Sequence, residues 1–90
     1  MDRSSEPVEL TIEALVKDLF IELGLPRPPR TDEDLREAGL TSLQLVDLVF
    51  AVEDRCSISL PDDEINPQNF RSIQNIARMI ERLRTATASA

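Results

Sequence analysis

Apolar side chains recur at the spacing of one helix face in three separate stretches of the chain, and this periodicity limits the fold more than any other feature. No stretch shows a clear two-residue alternation of the kind that a half-buried β-strand requires. We therefore predict an all-α fold, a small bundle of three to four helices with a long first loop. The three apolar sets are Ile12, Leu15, Val16, Leu19, Phe20 and Leu23, then Leu45, Leu48, Val49, Val52 and Cys56, then Ile73, Ile76, Ala77, Ile80 and Leu83.

Capping and helix-breaking residues set the expected limits of the first helix. Thr11 can cap it, with Leu10 packed on Leu15 as a hydrophobic staple, although Pro7 permits an earlier start. Gly24 is a natural stop, because glycine readily adopts the left-handed conformation that ends many helices.

A long connection follows, from Pro26 to about Thr41. It opens with closely spaced prolines, which lack the backbone donor that a helix interior requires. Within it, we expect the 32–38 stretch to form a helical turn that packs Leu35 and Leu40 onto the bundle.

The second helix is predicted to begin at Thr41. Its side chain can cap the helix, and Gln44 three residues later completes the pattern of a capping box. Ser42 then occupies the first helical position, near the positive end of the helix dipole. The helix is expected to end near Cys56.

The last third of the chain contains short elements and one further helix. Residues 57–61 are expected to be extended, and 62–65 and 67–70 offer one or two short helical turns. Ser72 can cap the last helix. Residues 85–90 have little to bury, and we predict a frayed tail there.

The composition excludes most kinds of catalytic site. The 90 residues suit one domain, spanning 1–90 with a core of about 8–84 and flexible termini. The chain has no His and only one Cys, so it cannot assemble a Ser-His-Asp or Cys-His arrangement or a Cys/His zinc site. Its two glycines, Gly24 and Gly39, lie too far apart for a phosphate-binding loop. We therefore expect a protein that is not an enzyme and acts through partners.

Negative charge is concentrated in the middle of the chain. The net charge is −7, yet residues 31–65 alone contain ten acids and two bases. Such a segment repels nucleic acid and anionic lipid and attracts basic protein surfaces, although it also suits a solvated face that aids solubility. With no apolar run long enough to span a bilayer and a single Cys, we expect a cytoplasmic monomer without membrane insertion.

The segment Gly39-Leu40-Thr41-Ser42-Leu43, together with the apolar helix after it, resembles the prosthetic-group site of the acyl carrier protein family. The resemblance covers roughly residues 8–84 and implies the carrier-protein type of helical bundle. It also implies that Ser42 receives a covalent 4′-phosphopantetheine arm from coenzyme A, on which an acyl or aminoacyl group is held as a thioester. The sequence departs from the family at Thr41 and Gln44, where carboxylates are usual.

The resemblance further implies a docking surface on the second helix. Its partners would be a phosphopantetheinyl transferase, an acyl or aminoacyl ligase, and acyl-transferring or condensing enzymes of fatty-acid, polyketide or other specialised biosynthesis. Alternatively, the proline-rich loop covers this face of the helix. The docking residues so implied are Leu43, Val46, Asp47, Phe50, Glu53 and Asp54.

Other interpretations remain open at this stage. The residues that are candidate contacts for an apolar cargo are Leu60, Ile65 and Phe70. The alternative is that they are ordinary core residues. Cys56 is interpreted as a small core residue rather than a reactive thiol. The alternative function is an unmodified helical adaptor that binds a partner through Leu43, Val46 and Phe50. The scaffold does not determine the cargo, whether fatty acyl, polyketide, aminoacyl or aryl acid.

Overall fold

The computed structural model describes residues 7–89, which form three α-helices and a single 3₁₀ turn. These are α1 (Val8–Glu22), α2 (Ser42–Cys56), the 3₁₀ turn (Asp62–Glu64) and α3 (Ile73–Ser89). Residues 7–89 contain no strand, so the all-α prediction is confirmed. The predicted flexible ends fall partly on residues 1–6 and 90, which lie outside the described residues. Within residues 7–89, no helix has the length and apolar character needed to cross a bilayer.

Helix α1 uses the earlier of the two starts that the sequence allows. Pro7 has φ −61° and ψ 136°, and its carbonyl accepts a hydrogen bond from the N–H of Leu10 at 3.1 Å. Proline suits this position because the first N–H groups of a helix have no partner within the helix. The staple predicted for a Thr11 cap does not form, since Leu10 lies inside the helix with 53% of its surface exposed.

Gly24 ends α1 as predicted. It has φ 72°, and its N–H donates to the carbonyl of Ile21 at 3.0 Å, while the N–H of Leu25 donates to Phe20 at 3.0 Å. This pair of hydrogen bonds is the Schellman motif, which requires a left-handed residue that glycine adopts without strain. The chain therefore turns sharply into the long loop.

Buried side chains from all three helices form one core, with α1 packed against both α2 and α3. The apolar spacing of the sequence is thus confirmed as core spacing except at Leu23, which is 36% exposed at the end of α1. Each fully buried aliphatic or aromatic side chain contributes about 1.5–3 kcal/mol relative to exposure. The largest fully buried residues are Phe20, Ile12, Leu35, Leu48, Ile73, Ile76, Met79, Ile80, Val16 and Val52.

The long loop is anchored to the start of α3 as well as to the core. Leu35 and Leu40 are buried, as predicted, and the N–H of Leu35 donates to the carbonyl of Arg71 at 2.7 Å. The N–H of Gln74 donates to the carbonyl of Thr31 at 2.9 Å. These backbone contacts fix the loop and, with it, the position from which α2 begins.

The elements in the last third of the chain follow the predicted order, and only the end of α3 differs from the prediction. Residues 67–70 form a turn, and the Ser72 Oγ caps α3 by accepting from the N–H of Asn75 at 3.2 Å. The sequence predicted a tail from Thr85, whereas helix α3 continues to Ser89. No glycine or proline follows Leu83 to end the helix, and alanine, which is frequent there, favours helix.

Candidate functional site

Reciprocal hydrogen bonds fix the first residue of α2. The Thr41 Oγ1 accepts from the N–H of Gln44 at 3.2 Å, and the Gln44 Oε1 accepts from the N–H of Thr41 at 3.0 Å. The predicted capping box is therefore confirmed, with Thr41 in an extended conformation. Two of the backbone donors at the helix start are satisfied by this pair, and Ser42 becomes the first helical residue.

Gly39 brings the loop close to the core just before this cap. Its φ is 132°, and a Cβ atom at this position would lie 3.0 Å from the Cδ2 of Leu25. An L side chain here would be both strained and crowded. Glycine therefore allows the close approach that leads through the buried Leu40 to Thr41.

The Ser42 hydroxyl is accessible and unengaged. Ser42 is exposed, and its Oγ forms no hydrogen bond within the described part of the chain. No acidic residue lies in the first turn of α2. Because the chain has no His, this hydroxyl has no side-chain base of the usual kind, so it suits a group-transfer reaction in which a partner supplies the base.

A largely apolar cleft of about 200 Å³ opens beside Ser42, between α2 and the segment before α3. Ser42 belongs to its lining, so a group attached there would emerge at the cleft. Two of the three candidate cargo contacts, Ile65 and Phe70, also line it, whereas Leu60 is buried in the core and does not. The lining residues are Arg36, Ser42, Leu45, Val46, Val49, Ile65, Asn66, Pro67 and Phe70.

An ion pair holds the far wall of this cleft to α3. The guanidinium of Arg82 donates to both carboxylate oxygens of Glu64 at 3.0 Å each, and the Asn69 Nδ2 donates to the Glu64 Oε1 at 2.9 Å. The hydrogen bond from Arg82 is the main reason why the pKa of Glu64 lies below its usual value. Sequence reasoning missed this contact, because its partners are 18 positions apart and share no local motif.

Three apolar side chains of α2 face away from the core. Leu43 is 80% exposed, Phe50 64% and Val46 48%, and we call these three residues the α2 patch. Asp47 and Asp54 are exposed on the same helix. The alternative in which the proline-rich loop covers this face is therefore wrong. An apolar centre with a charged rim is the usual anatomy of a transient interface.

Glu53, which the resemblance placed among the docking residues, is engaged inside the protein. It is only partly exposed, and its Oε2 accepts from the N–H of Leu60 at 2.8 Å. Its carbonyl also accepts from the N–H of Ile58 at 3.1 Å, where Ser57 leaves the helix with a left-handed φ of 53°. Glu53 thus holds the extended segment after α2 against the bundle.

Cys56 lies in the core, as interpreted from the sequence. It is 6% exposed, and burial raises the pKa of its thiol. A thiol with a raised pKa is a poor nucleophile at neutral pH. Within residues 7–89, no group of three or more His, Cys, Asp or Glu residues is arranged to hold a metal ion.

Comparisons with known proteins agree on one family. A family model described as "Phosphopantetheine attachment site" matches residues 11–80. Aminoacyl carrier protein 1 of Bradyrhizobium diazoefficiens is 32% identical over 90 residues, covering 99% of this chain and 100% of the relative. The aminoacyl carrier protein of Agrobacterium fabrum is 33% identical over 69 residues, covering 72% of this chain and 83% of the relative.

One solved structure also resembles the fold. It is the crystal structure of Bradyrhizobium japonicum glycine:[carrier protein] ligase complexed with its cognate carrier protein and an analogue of glycyl adenylate. The match has a TM-score of 0.73 and 25% sequence identity, and it covers 86% of this chain and 99% of the matched chain. The likeness therefore extends over most of both chains.

Thr41→Ala is expected to lower the free energy of unfolding by about 1 kcal/mol, because it removes the cap that accepts the N–H of Gln44. Thr41→Ser keeps a capping hydroxyl and is the matched control. Urea denaturation followed by circular dichroism measures both variants. If the alanine and serine variants are equally stable, the Thr41 cap does not contribute to the free energy of unfolding.

Glu53→Ala is expected to destabilise the protein by about 1–2 kcal/mol, because the partly buried N–H of Leu60 loses its acceptor. Asp54→Ala, at the exposed neighbouring position, is expected to stay within about 0.5 kcal/mol of the parent. The comparison uses the same denaturation measurement. If both variants lose equal stability, the internal role of Glu53 is wrong.

Proposed function

The chain belongs to the phosphopantetheine-binding family of acyl carrier proteins, and we propose that Ser42 is the residue to which the 4′-phosphopantetheine arm is attached. The observation that carries the proposal is the position of Ser42. It is the first residue of α2, it is exposed, it lies on the lining of an apolar cleft, and its hydroxyl forms no hydrogen bond among residues 7–89. Ser42 thus offers a reactive atom to a partner while the helix behind it stays in place.

The surroundings of Ser42 fit the group that the family carries. A phosphate at a helix start is favoured by about 0.3–1 kcal/mol, and no carboxylate in the first turn of α2 opposes it. When bound, the arm supplies a terminal thiol that holds an acyl group as a thioester. The chain itself supplies position, a stable helix start and a surface for partners.

The attachment step requires an enzyme that brings the base. In this step, the Ser42 Oγ attacks the β-phosphate of coenzyme A, its proton passes to a base of the phosphopantetheinyl transferase, and adenosine bisphosphate leaves. The capping box holds Ser42 at the helix mouth without occupying its hydroxyl, because the Thr41 and Gln44 side chains bond to each other's backbone. Ser42 therefore remains free to react.

An aminoacyl group is the cargo that the observations favour within this family. The relatives compared above carry the name aminoacyl carrier protein, and the matched structure contains a glycine ligase. The cleft, at about 200 Å³, is smaller than the roughly 300–1,000 Å³ of pockets that enclose drug-sized ligands. A small amino acid suits such a cleft better than a long acyl chain, and an aminoacyl ligase is then the loading partner.

The α2 patch is the docking surface in this proposal. Leu43, Val46 and Phe50 supply exposed apolar contacts, and Asp47 and Asp54 supply a negative rim for basic partner surfaces. Thr41 and Gln44 lack the carboxylates usual in the family, so a partner that requires charge beside the serine would bind less well. The chain is accordingly suited to dedicated partners.

With coenzyme A, Mg²⁺ and a broad-specificity transferase, the protein is expected to gain the mass of one phosphopantetheine, and Ser42→Ala is expected to gain none. Ser59→Ala, at another exposed serine, is the control and retains the gain. Incubation of the modified protein with glycine, ATP and an aminoacyl ligase should add one glycyl group that hydroxylamine removes. Intact-mass spectrometry measures each step.

Three outcomes would contradict parts of this proposal. Modification of Ser42→Ala would exclude Ser42 as the attachment residue. Loading by fatty-acyl ligases but not by aminoacyl ligases would contradict the cargo. If the transferase leaves the parent protein unmodified while a partner binds the parent and Ser42→Ala equally, the helical adaptor replaces the carrier.

Phe50→Ala is expected to lower kcat/KM for modification and loading by about 5- to 30-fold, the effect of a loss of about 1–2 kcal/mol at an interface. Ile21→Ala on α1 is the matched control, because Ile21 is 68% exposed and Phe50 64%. It should leave both rates unchanged. Equal effects of the two variants would place the docking surface elsewhere.

A further inference from the structure

Arg36 is a cation in the most acidic part of the chain. It is one of only two bases among residues 31–65, which contain ten acids. The side chains of Arg27, Arg71 and Arg82 each pair with a carboxylate within 4 Å, at 2.8, 3.6 and 3.0 Å. The guanidinium of Arg36 forms no ion pair or hydrogen bond among residues 7–89.

Asp34, two positions before Arg36, is engaged by other groups. The Asp34 Oδ1 accepts from the backbone N–H groups of Arg36 and Glu37 at 2.9 and 3.2 Å. The Asp34 Oδ2 faces the Nε of Arg71 at 3.6 Å. The turn that carries Arg36 is therefore held through its backbone, and its side chain remains available for a ligand.

Arg36 lies on the same cleft as Ser42. The first turn of α2 contributes no carboxylate to this region, because Thr41 and Gln44 form the capping box with neutral side chains. A carboxylate beside Ser42 would compete for the guanidinium. The two departures from the family pattern thus leave a free positive charge on a cleft that also contains the reactive hydroxyl.

We propose that Arg36 binds the phosphodiester formed on Ser42 and so directs the phosphate end of the arm along the cleft. This inference rests on the proposed attachment at Ser42. A phosphodiester has two non-bridging oxygens that share a negative charge, and the planar guanidinium fork matches such a pair of acceptors. Arg36 is therefore a positioning residue: it sets the direction in which the cargo leaves the surface.

The test observes the arginine side chains directly in the full-length protein. Nε–Hε signals are recorded by NMR before and after modification, with Arg36→Gln to identify the Arg36 signal. We expect modification to slow the exchange of the Arg36 Nε–H with water by about two- to fivefold, the range for an exposed ion pair. The Arg55 signal, from the other base of the acidic segment, should not change.

Salt and two further variants make the test specific. At 1 M salt, where the screening length is about 3 Å, the slowing at Arg36 should largely disappear. Thr41→Asp keeps a capping side chain but adds a competing charge, so it should weaken the effect, whereas Thr41→Ser should preserve it. Because the Arg36 guanidinium forms no ion pair or hydrogen bond among residues 7–89, unmodified Arg36→Gln and Arg55→Gln should have equal denaturation midpoints.

Mass spectrometry of the same sample separates the two proposals. A protein that gains no phosphopantetheine contradicts the proposed function and this inference with it. A protein that gains the arm at Ser42 without a change at Arg36, or with an equal change at Arg55, contradicts this inference alone. Slowed exchange at Arg36 that salt and Thr41→Asp both reduce supports it.

Discussion

The start of α2 depends on the reciprocal hydrogen bonds between Thr41 and Gln44, and the rest of the site depends on that start. The helix can begin there because Gly39 accepts a φ of 132° beside Leu25 and because the buried Leu40 ties the loop to the core. These contacts leave Ser42 exposed at the start of α2. The neutral side chains of Thr41 and Gln44 thus keep Ser42 at the start of α2, although the family usually has carboxylates at these two positions.

The charge around Ser42 differs between long and short range. The segment as a whole is strongly negative, which favours basic partner surfaces through long-range attraction. Next to Ser42, however, the first turn of α2 is uncharged and Arg36 supplies a cation on the cleft. Association with a partner and local binding of an anionic group can therefore be favoured in the same small region, because they act over different distances.

Local patterns in the sequence were sufficient to predict the three helices, the Gly24 stop, the capping box and the position of Ser42 as the first residue of α2. Caps and helix periodicity involve residues a few positions apart, so a single sequence reveals them. The bond from Glu53 to the Leu60 N–H, the Arg82–Glu64 pair and the place of Arg36 on the cleft depend on how the loops fold back. Such long-range contacts leave no periodic pattern in the sequence. Glu53 was therefore interpreted as a docking residue, because its hydrogen bond to the Leu60 N–H is visible only in the structure.

The central claim is that Ser42 carries the prosthetic arm, and fragmentation mass spectrometry of peptides from the transferase-treated protein tests it most directly. The account predicts that the phosphopantetheine mass maps to Ser42 and to no other serine or threonine. A modification mapped to Ser57, Ser59 or Thr41, or an unmodified Ser42 in a protein that has gained the arm, would contradict it.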